Sequence, residues 1–330
     1  MLSEFLSKEL TGFFRFDSML RAYSEESLNV DFVLSNPLAV TGAIIPTLLV
    51  LELLVGVVRK NAQAKTYKIA LFTYAFNRAI STYVSLSVTL FLIVILQDYK
   101  LIDTSLTWYW ILYGYLVWEF THYFAHLLSH RVRLFWCFHA PHHAPEEMNL
   151  SVSYVHFFLE GPVFQLIRIS GSILLGVSPE LLLVVAAIAP IWGSWIHVGE
   201  NIVKDGRMGL FEKFILTPSH HRIHHARNTV YIDKNYCNLF NIWDRLFGTY
   251  QEEVEGVEIE YGILRKPNTS SFIQMHFGEL IALFRDVRST SRISNKIRYF
   301  CYPPGWHPVE KTTGDSGARG GISGGVIQLD

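Results

Sequence analysis

The sequence predicts an all-α integral membrane protein, a helical bundle of four or five apolar segments with a cytoplasmic, histidine-rich helical cap. Of its 330 residues, 50% are hydrophobic and only 17% are charged, whereas soluble domains carry about 25% charged residues. Twelve of the 14 histidines lie between His122 and His225. The net charge of −1 gives no basic surface for nucleic acid, so we exclude a nucleic-acid partner.

Five apolar segments are candidates for membrane helices. A helix needs about 20 apolar residues to span a bilayer. The segments are 37–58, 79–97, 105–128, 161–177 and 181–198. The last two form a hairpin that either spans the membrane or re-enters it. The third segment begins with aromatic residues, as expected at a membrane interface.

The basic residues between the first two segments orient the bundle. Arg59, Lys60, Lys65 and Lys68 follow the first segment, and cytoplasmic loops carry an excess of Lys and Arg. Counting the segments from this loop puts every clustered histidine on the cytoplasmic side. We therefore expect an active site on the cytoplasmic face of the endoplasmic reticulum membrane in a eukaryote, or of the inner membrane in a bacterium.

The segments define one domain between two ends of different composition. We expect a membrane domain at 37–311, with its histidine clusters at 122–225, after an N-terminal segment at 1–36. The tail at 312–330 is rich in glycine and is predicted to be disordered. The three cysteines are far apart in the sequence, so we expect neither a disulfide framework nor a thiolate metal site.

The histidines recur at spacings that suit metal ligation. Residues four apart share one face of a helix. This spacing occurs within 122–130, 139–143 and 220–225, and His197 ends the last apolar segment. The predicted metal ligands are His126, His130, His139, His142, His143, His197, His220, His221, His224 and His225. Ligation by His122 and His156 is left open.

The number of histidines indicates two metal ions. A mononuclear catalytic zinc takes three protein ligands and a water, which ten imidazoles exceed. Imidazole binds iron, zinc, copper and nickel, so ligand type alone does not select the metal. An unactivated lipid C–H bond offers no electrophilic carbon to a zinc-bound hydroxide, so the membrane context favours iron and O₂. The sequence also lacks the HExxH box of a zinc hydrolase.

Polar residues near the clusters are candidates for supporting roles. A ligating histidine usually donates its other N–H group to a carboxylate or a carbonyl. We predict Glu119, Asn149 and Glu200 as the catalytic residues on this ground. A solvated or helix-capping role is the alternative for each of them.

The three histidine motifs resemble those of the fatty acid hydroxylase/sterol desaturase superfamily. The pattern HxxxH, HxxHH, HxxHH is matched at 126–130, 139–143 and 221–225. The resemblance runs from about Trp118 to Thr249. The stretches HAPHHAPEEMNLS and TPSHHRIHH are similar to those of the alkylglycerol monooxygenase-like membrane di-iron enzymes, and His197 matches a histidine that precedes their last motif.

The resemblance implies a cofactor set and a reaction. It implies two iron ions, O₂, a lipid substrate and an external electron donor, which is tetrahydrobiopterin, cytochrome b5 or a ferredoxin. The expected reaction is hydroxylation of the lipid, of which ether-lipid cleavage is one form. A sterol or fatty-acid desaturase or hydroxylase of the same superfamily is the alternative. A non-catalytic metal or lipid carrier is a more distant one.

Overall fold

The computed structural model of the chain describes residues 37–60 and 64–308. The predicted N-terminal segment at 1–36 and the predicted disordered tail at 312–330 lie outside the described residues. The described residues contain no β-strand beyond two isolated bridges. The all-α class predicted from the sequence is confirmed for this part of the chain. Among its helices, none is both long enough and apolar enough to cross a bilayer.

Eleven α-helices make up the described part of the chain. They are α1 (Pro37–Val58), α2 (Ala64–Ala79), α3 (Ser81–Leu96), α4 (Trp108–Arg131), α5 (Arg133–His143), α6 (Glu160–Leu174), α7 (Pro179–Trp195), α8 (Pro218–His224), α9 (Ile242–Phe247), α10 (Phe272–Ser289) and α11 (Ile293–Cys301). Short 3₁₀ helices lie at Gln97–Tyr99, Leu150–Tyr154 and Gly209–Lys213. The five predicted apolar segments correspond to α1, α3, α4, α6 and α7.

An apolar core joins α3, α4, α6 and α7. Trp118 of α4, Ile169 of α6, and Leu181 and Val185 of α7 are buried in it. His126 and His130 of α4 lie about two and three turns beyond Trp118, so this core fixes the helix that presents them.

The opposite side of the histidine clusters is covered by α5, α10 and α11. Helix α5 packs against both α4 and α10. Buried Arg133 at the start of α5 forms an ion pair with Asp286 of α10. Its backbone N–H donates to the Tyr302 carbonyl just after α11, at 3.0 Å. These contacts fix α5, which carries three of the predicted ligands.

A buried acid links α1 to the loops near the histidines. Glu52 accepts hydrogen bonds from the backbone N–H groups of Leu150 (2.6 Å) and Gly199 (2.9 Å). It also accepts one from the Tyr67 hydroxyl at 3.0 Å. The single acid of the first apolar segment therefore holds together segments that are far apart in the sequence.

Candidate metal centre

The structure brings nine of the ten predicted ligands into two adjacent groups. The first group is His126, His130, His139, His143 and His224, and the second group is His142, His197, His221 and His225. All nine are buried, and within each group the ligand atoms lie within 4.8 Å of one another. The groups touch, because the His143 ring stacks on the His225 ring with 4.2 Å between centroids. The arrangement can hold two metal ions side by side.

Local structure explains how distant parts of the chain meet here. The side chain of Thr217 caps α8 just before its first residue. That first residue, Pro218, is pre-organised for a helical start. Buried Arg222 of α8 donates from Nη2 to the carbonyls of Val198 (3.1 Å) and Val203 (2.6 Å). The last histidine motif is thereby tied to the loop that follows His197.

The positions of the ring nitrogens in the first group indicate whether a cation fits between them. His126 Nδ1–H donates to the Tyr236 carbonyl (2.8 Å), and His139 Nδ1–H donates to Glu160 Oε1 (2.7 Å). A neutral imidazole protonated at Nδ1 carries its lone pair on Nε2. These two Nε2 atoms are 3.0 Å apart, and His139 Nε2 is also 3.0 Å from His143 Nε2. Facing lone pairs repel unless a cation binds them, so the donor set fits a metal ion.

The second group has the same geometry. His197 Nδ1–H donates to the Gly193 carbonyl at 2.6 Å. His197 Nε2 lies 3.2 Å from His142 Nε2 and 2.9 Å from His221 Nε2. Ligands at right angles on bonds of about 2.1 Å are about 3.0 Å apart, whereas tetrahedral ligands are about 3.4 Å apart. The spacings in this group are close to both values, so they suit ligands of one metal ion without selecting the metal.

Burial favours the neutral form of the imidazoles, which is the form that binds a metal ion. It lowers the pKa of His142, His143, His221 and His225 well below the ordinary value of 6.5. Neighbouring imidazoles lower these pKa values further. The rings are therefore neutral near pH 7, which is the form that binds a metal ion.

Sequence reasoning missed Glu160, the carboxylate that contacts the first group. Its oxygens accept from His139 Nδ1 (2.7 Å) and from His156 Nδ1 (2.8 Å). Burial raises the pKa of Glu160, but the charges of His156 and His139 and their hydrogen bonds outweigh it and lower the pKa to about 2. His156 also stacks on His142 with 4.3 Å between centroids. The spacing of four between His156 and Glu160 was the available sequence signal.

The three residues predicted to be catalytic form hydrogen bonds with groups other than the histidines, and their catalytic role stays a prediction. Glu119 accepts from the Leu239 backbone N–H at 3.0 Å. Asn149 accepts from the Ser151 backbone N–H at 3.0 Å, and Glu200 accepts from the Tyr261 hydroxyl at 3.1 Å. All three bonds fix loops or the start of a 3₁₀ helix, and none reaches a histidine.

The tenth predicted ligand, His220, lies outside both groups. Its Nδ1 is 3.2 Å from the Thr217 backbone nitrogen and 2.9 Å from Thr217 Oγ1, in a reciprocal cap at the start of α8. Its Nε2 is 2.8 Å from the Tyr250 hydroxyl. Both ring nitrogens therefore have partners other than a metal ion.

A cavity of about 370 Å³ opens beside the histidines. It reaches both groups, and His122 and His156 are also in its wall. Its apolar lining includes Trp118, Phe157 and Phe164. Its size and lining are those of a site for an apolar molecule held by a few polar groups.

A second cavity of about 240 Å³ reaches the first group through His130, His143 and His224, which do not line the first cavity. Its charged wall residues are Arg227, Asp233, Arg265 and Glu279. The first group is therefore accessible from an apolar cavity and from a more charged one.

Comparison with known proteins gives a family for this region. Residues 111–249 match the family described as fatty acid hydroxylase. The chain is 30% identical over 226 residues to alkylglycerol monooxygenase of Homo sapiens, covering 67% of this chain and 48% of the relative. The zebrafish (Danio rerio) protein of the same name is 31% identical over 213 residues, covering 64% of this chain and 45% of the relative.

A bacterial relative has a different name. The ornithine lipid hydroxylase of Rhizobium tropici is 30% identical over 158 residues, covering 46% of this chain and 45% of the relative. The chain spans about half the length of the curated relatives it matches. No solved structure gave a significant match. The region that contains both histidine groups, residues 111–249, belongs to the fatty acid hydroxylase family.

Proposed function

We propose that the protein is an O₂-dependent lipid hydroxylase whose two histidine groups bind two iron ions. The observation that supports this most is the pair of buried imidazole groups, with facing ring nitrogens, beside an apolar cavity. Relatives named alkylglycerol monooxygenase and ornithine lipid hydroxylase support the same class of reaction. Cleavage of an ether lipid after hydroxylation is one form that this activity can take.

Bound iron would supply the activation of O₂, and the chain supplies the remaining functions. The neutral imidazoles bind the ions, and Glu160 orients His139 through its Nδ1–H. The aromatic wall of Trp118, Phe157 and Phe164 excludes water and holds an apolar chain. Each turnover consumes O₂ and a pair of electrons from a donor, with one oxygen atom ending in the product and the other in water.

We propose that the electron donor approaches through the second cavity. This cavity contacts three histidines of the first group and leaves the apolar cavity free for lipid. The candidate donors are tetrahydrobiopterin, cytochrome b5 and a ferredoxin. Adding each reduced donor separately and measuring O₂ uptake distinguishes them, and Leu264→Trp in the cavity wall should slow O₂ uptake with the effective donor.

We also propose that the enzyme is embedded in a membrane with the histidine groups towards the cytoplasm. Large apolar side chains are exposed on several helices, including Leu54 (55%), Val94 (67%) and Trp108 (79%). Arg59, in the basic loop after α1, donates to the Asn201 carbonyl just after His197. Basic loops favour the cytoplasmic side. Retention of the protein in the membrane pellet after alkaline washing tests the embedding.

The experiment that tests the function measures metal content and O₂ uptake on one detergent-purified preparation supplied with Fe(II). We expect about two irons per chain and reductant-dependent O₂ uptake, both reduced in His143→Ala. His220→Gln is the matched control and should keep both. Zinc that iron cannot replace, together with no O₂ uptake with any donor, would contradict the proposal. The product distinguishes the reactions, because an alcohol indicates a hydroxylase and a double bond a desaturase.

A further inference from the structure

One partly buried cation lies in the wall of the first cavity. Arg168 is the only Lys or Arg among the described residues that line this cavity. Its guanidinium lies over the Trp118 ring (4.8 Å) and the Phe164 ring (5.3 Å). Glu160, Phe164 and Arg168 follow at intervals of four along α6 and all line the cavity. The Cα atoms of Glu160 and Arg168 are therefore about 12 Å apart along the helix axis.

Among the described residues, no carboxylate forms an ion pair or a hydrogen bond with this cation. Arg168 Nε is buried without a hydrogen-bond partner. Glu160 is the only carboxylate among the described residues of the same wall, and its two oxygens are bound to His139 and His156. A buried charge is costly unless it is paired. The missing partner is expected to be a molecule that enters the cavity.

The chemistry of arginine limits what that partner can be. A guanidinium presents a fork of N–H donors and binds carboxylate or phosphate in a bidentate manner. The aromatic rings beside it fix its orientation. The described residues of the cavity wall include no second Lys or Arg, so one anionic group is enough to pair with the guanidinium. The remaining lining is largely aromatic, aliphatic and imidazole, which suits an alkyl chain.

We propose that Arg168 binds the anionic group, carboxylate or phosphate, of an amphipathic lipid substrate. This inference rests on the proposed lipid-hydroxylase function and specifies its substrate class. Because Glu160 and Arg168 leave α6 about two turns apart, we expect the anionic group to bind away from Glu160, and the reacting carbon to lie along the chain of the substrate.

The test is equilibrium binding to the full chain in a non-ionic detergent, which requires no turnover. The probes are hexadecanoate, hexadecyl phosphate and the neutral hexadecanol. We expect the wild type to bind at least one anionic probe about tenfold or more tightly than hexadecanol. Arg168→Gln should abolish this preference without changing the affinity for hexadecanol. Arg168→Lys should keep part of it, because the charge remains and the bidentate fork is lost.

Arg245→Gln is the matched control, because this exposed arginine stacks on Tyr250 at 3.7 Å and lies outside the cavity wall. It should keep the full preference. Equal affinities of the three probes for the wild type would overturn the proposal, and so would equal preferences in Arg168→Gln and Arg245→Gln. Iron content and the circular dichroism spectrum check folding, and if Arg168→Gln misfolds, the Arg168→Lys result decides. If no O₂ uptake is observed, the proposed function is contradicted. The binding preference can still be interpreted, because its measurement requires no turnover.

Discussion

The two histidine groups differ in what holds their rings. In the first group, the Nδ1–H groups of His126, His139 and His224 donate to the Tyr236 carbonyl, to Glu160 and to the Lys234 carbonyl. In the second group His197 has such an acceptor, the Gly193 carbonyl. The Nδ1 atoms of His142 and His221 are buried and have no hydrogen-bond partner among the residues that the structure describes.

This difference indicates different roles for the two sites. An acceptor bonded to the ring nitrogen that does not bind the metal, here Nδ1, fixes the ring and makes the imidazole a stronger ligand. The first group is also the one reached by both cavities. We infer that the first group binds its ion more tightly, whereas the second group binds an ion that exchanges more easily.

The largest effect is expected from removing the histidine at the centre of the first group. His139 Nε2 is 3.0 Å from the Nε2 atoms of both His126 and His143. His139→Ala should abolish O₂ uptake and lower the iron content from about two per chain to about one or less. The measurement is iron per chain by elemental analysis. Retention of both irons would show that the first group does not bind an ion through His139.

A smaller effect is expected from the carboxylate behind that histidine. Glu160→Gln keeps the shape but removes the charge that accepts the His139 Nδ1–H. Metal affinity of the first group should fall about 10- to 100-fold, measured by competition with a chelator of known affinity. Glu260→Gln, which changes an exposed ion pair with Arg227, is the control and should have no effect. An unchanged affinity in Glu160→Gln would remove the proposed difference between the groups.

The comparison also predicts the order in which the ions leave. With a chelator in excess, iron should be released in two phases, the faster one from the second group. The fast phase should be absent in His221→Ala, and the slow phase should be absent in His139→Ala. A single phase in the wild type, or the opposite assignment in the variants, would contradict the inferred roles.

The sequence predicted the histidine groups well because their information is local. Spacings of three and four put side chains on one face of a helix whatever the rest of the fold does. The apolar segments likewise predicted the positions of five helices, because a long apolar run is itself the signal. Helices α2, α10 and α11 were not anticipated, because their apolar residues alternate with charged ones.

Roles that depend on packing could not be predicted in this way. Glu160 reaches His139 because α6 packs against α5, and no spacing between the two residues encodes that contact. Glu119 is close to the first motif in the sequence, yet its carboxylate accepts from the Leu239 backbone N–H. Proximity along the chain does not specify which way a buried carboxylate points. The sequence also could not distinguish His220 from its neighbour, because both have a histidine four residues later.

The smallest predicted effect separates these two neighbours. His221 belongs to the second group, whereas His220 closes the reciprocal cap with Thr217 at the start of α8. His220→Ala should keep the iron content and lower the free energy of unfolding by about 1 kcal/mol. His221→Ala should instead lower the iron content. The measurements are iron per chain and the thermal midpoint of the detergent-solubilised protein.

A second substitution distinguishes a cap from a ligand at position 220. Glutamine at this position of a helix can also bond back to the backbone N–H of the capping residue, but it lacks an imidazole nitrogen for a metal ion. His220→Gln should therefore recover most of the stability lost in His220→Ala and keep both irons. If His220→Gln loses iron as His221→Ala does, His220 is a ligand and the second group has five members. The number of ligands would then no longer distinguish the two groups. The hydrogen-bond acceptors of the Nδ1–H groups alone would account for any difference in their affinity for the metal ion.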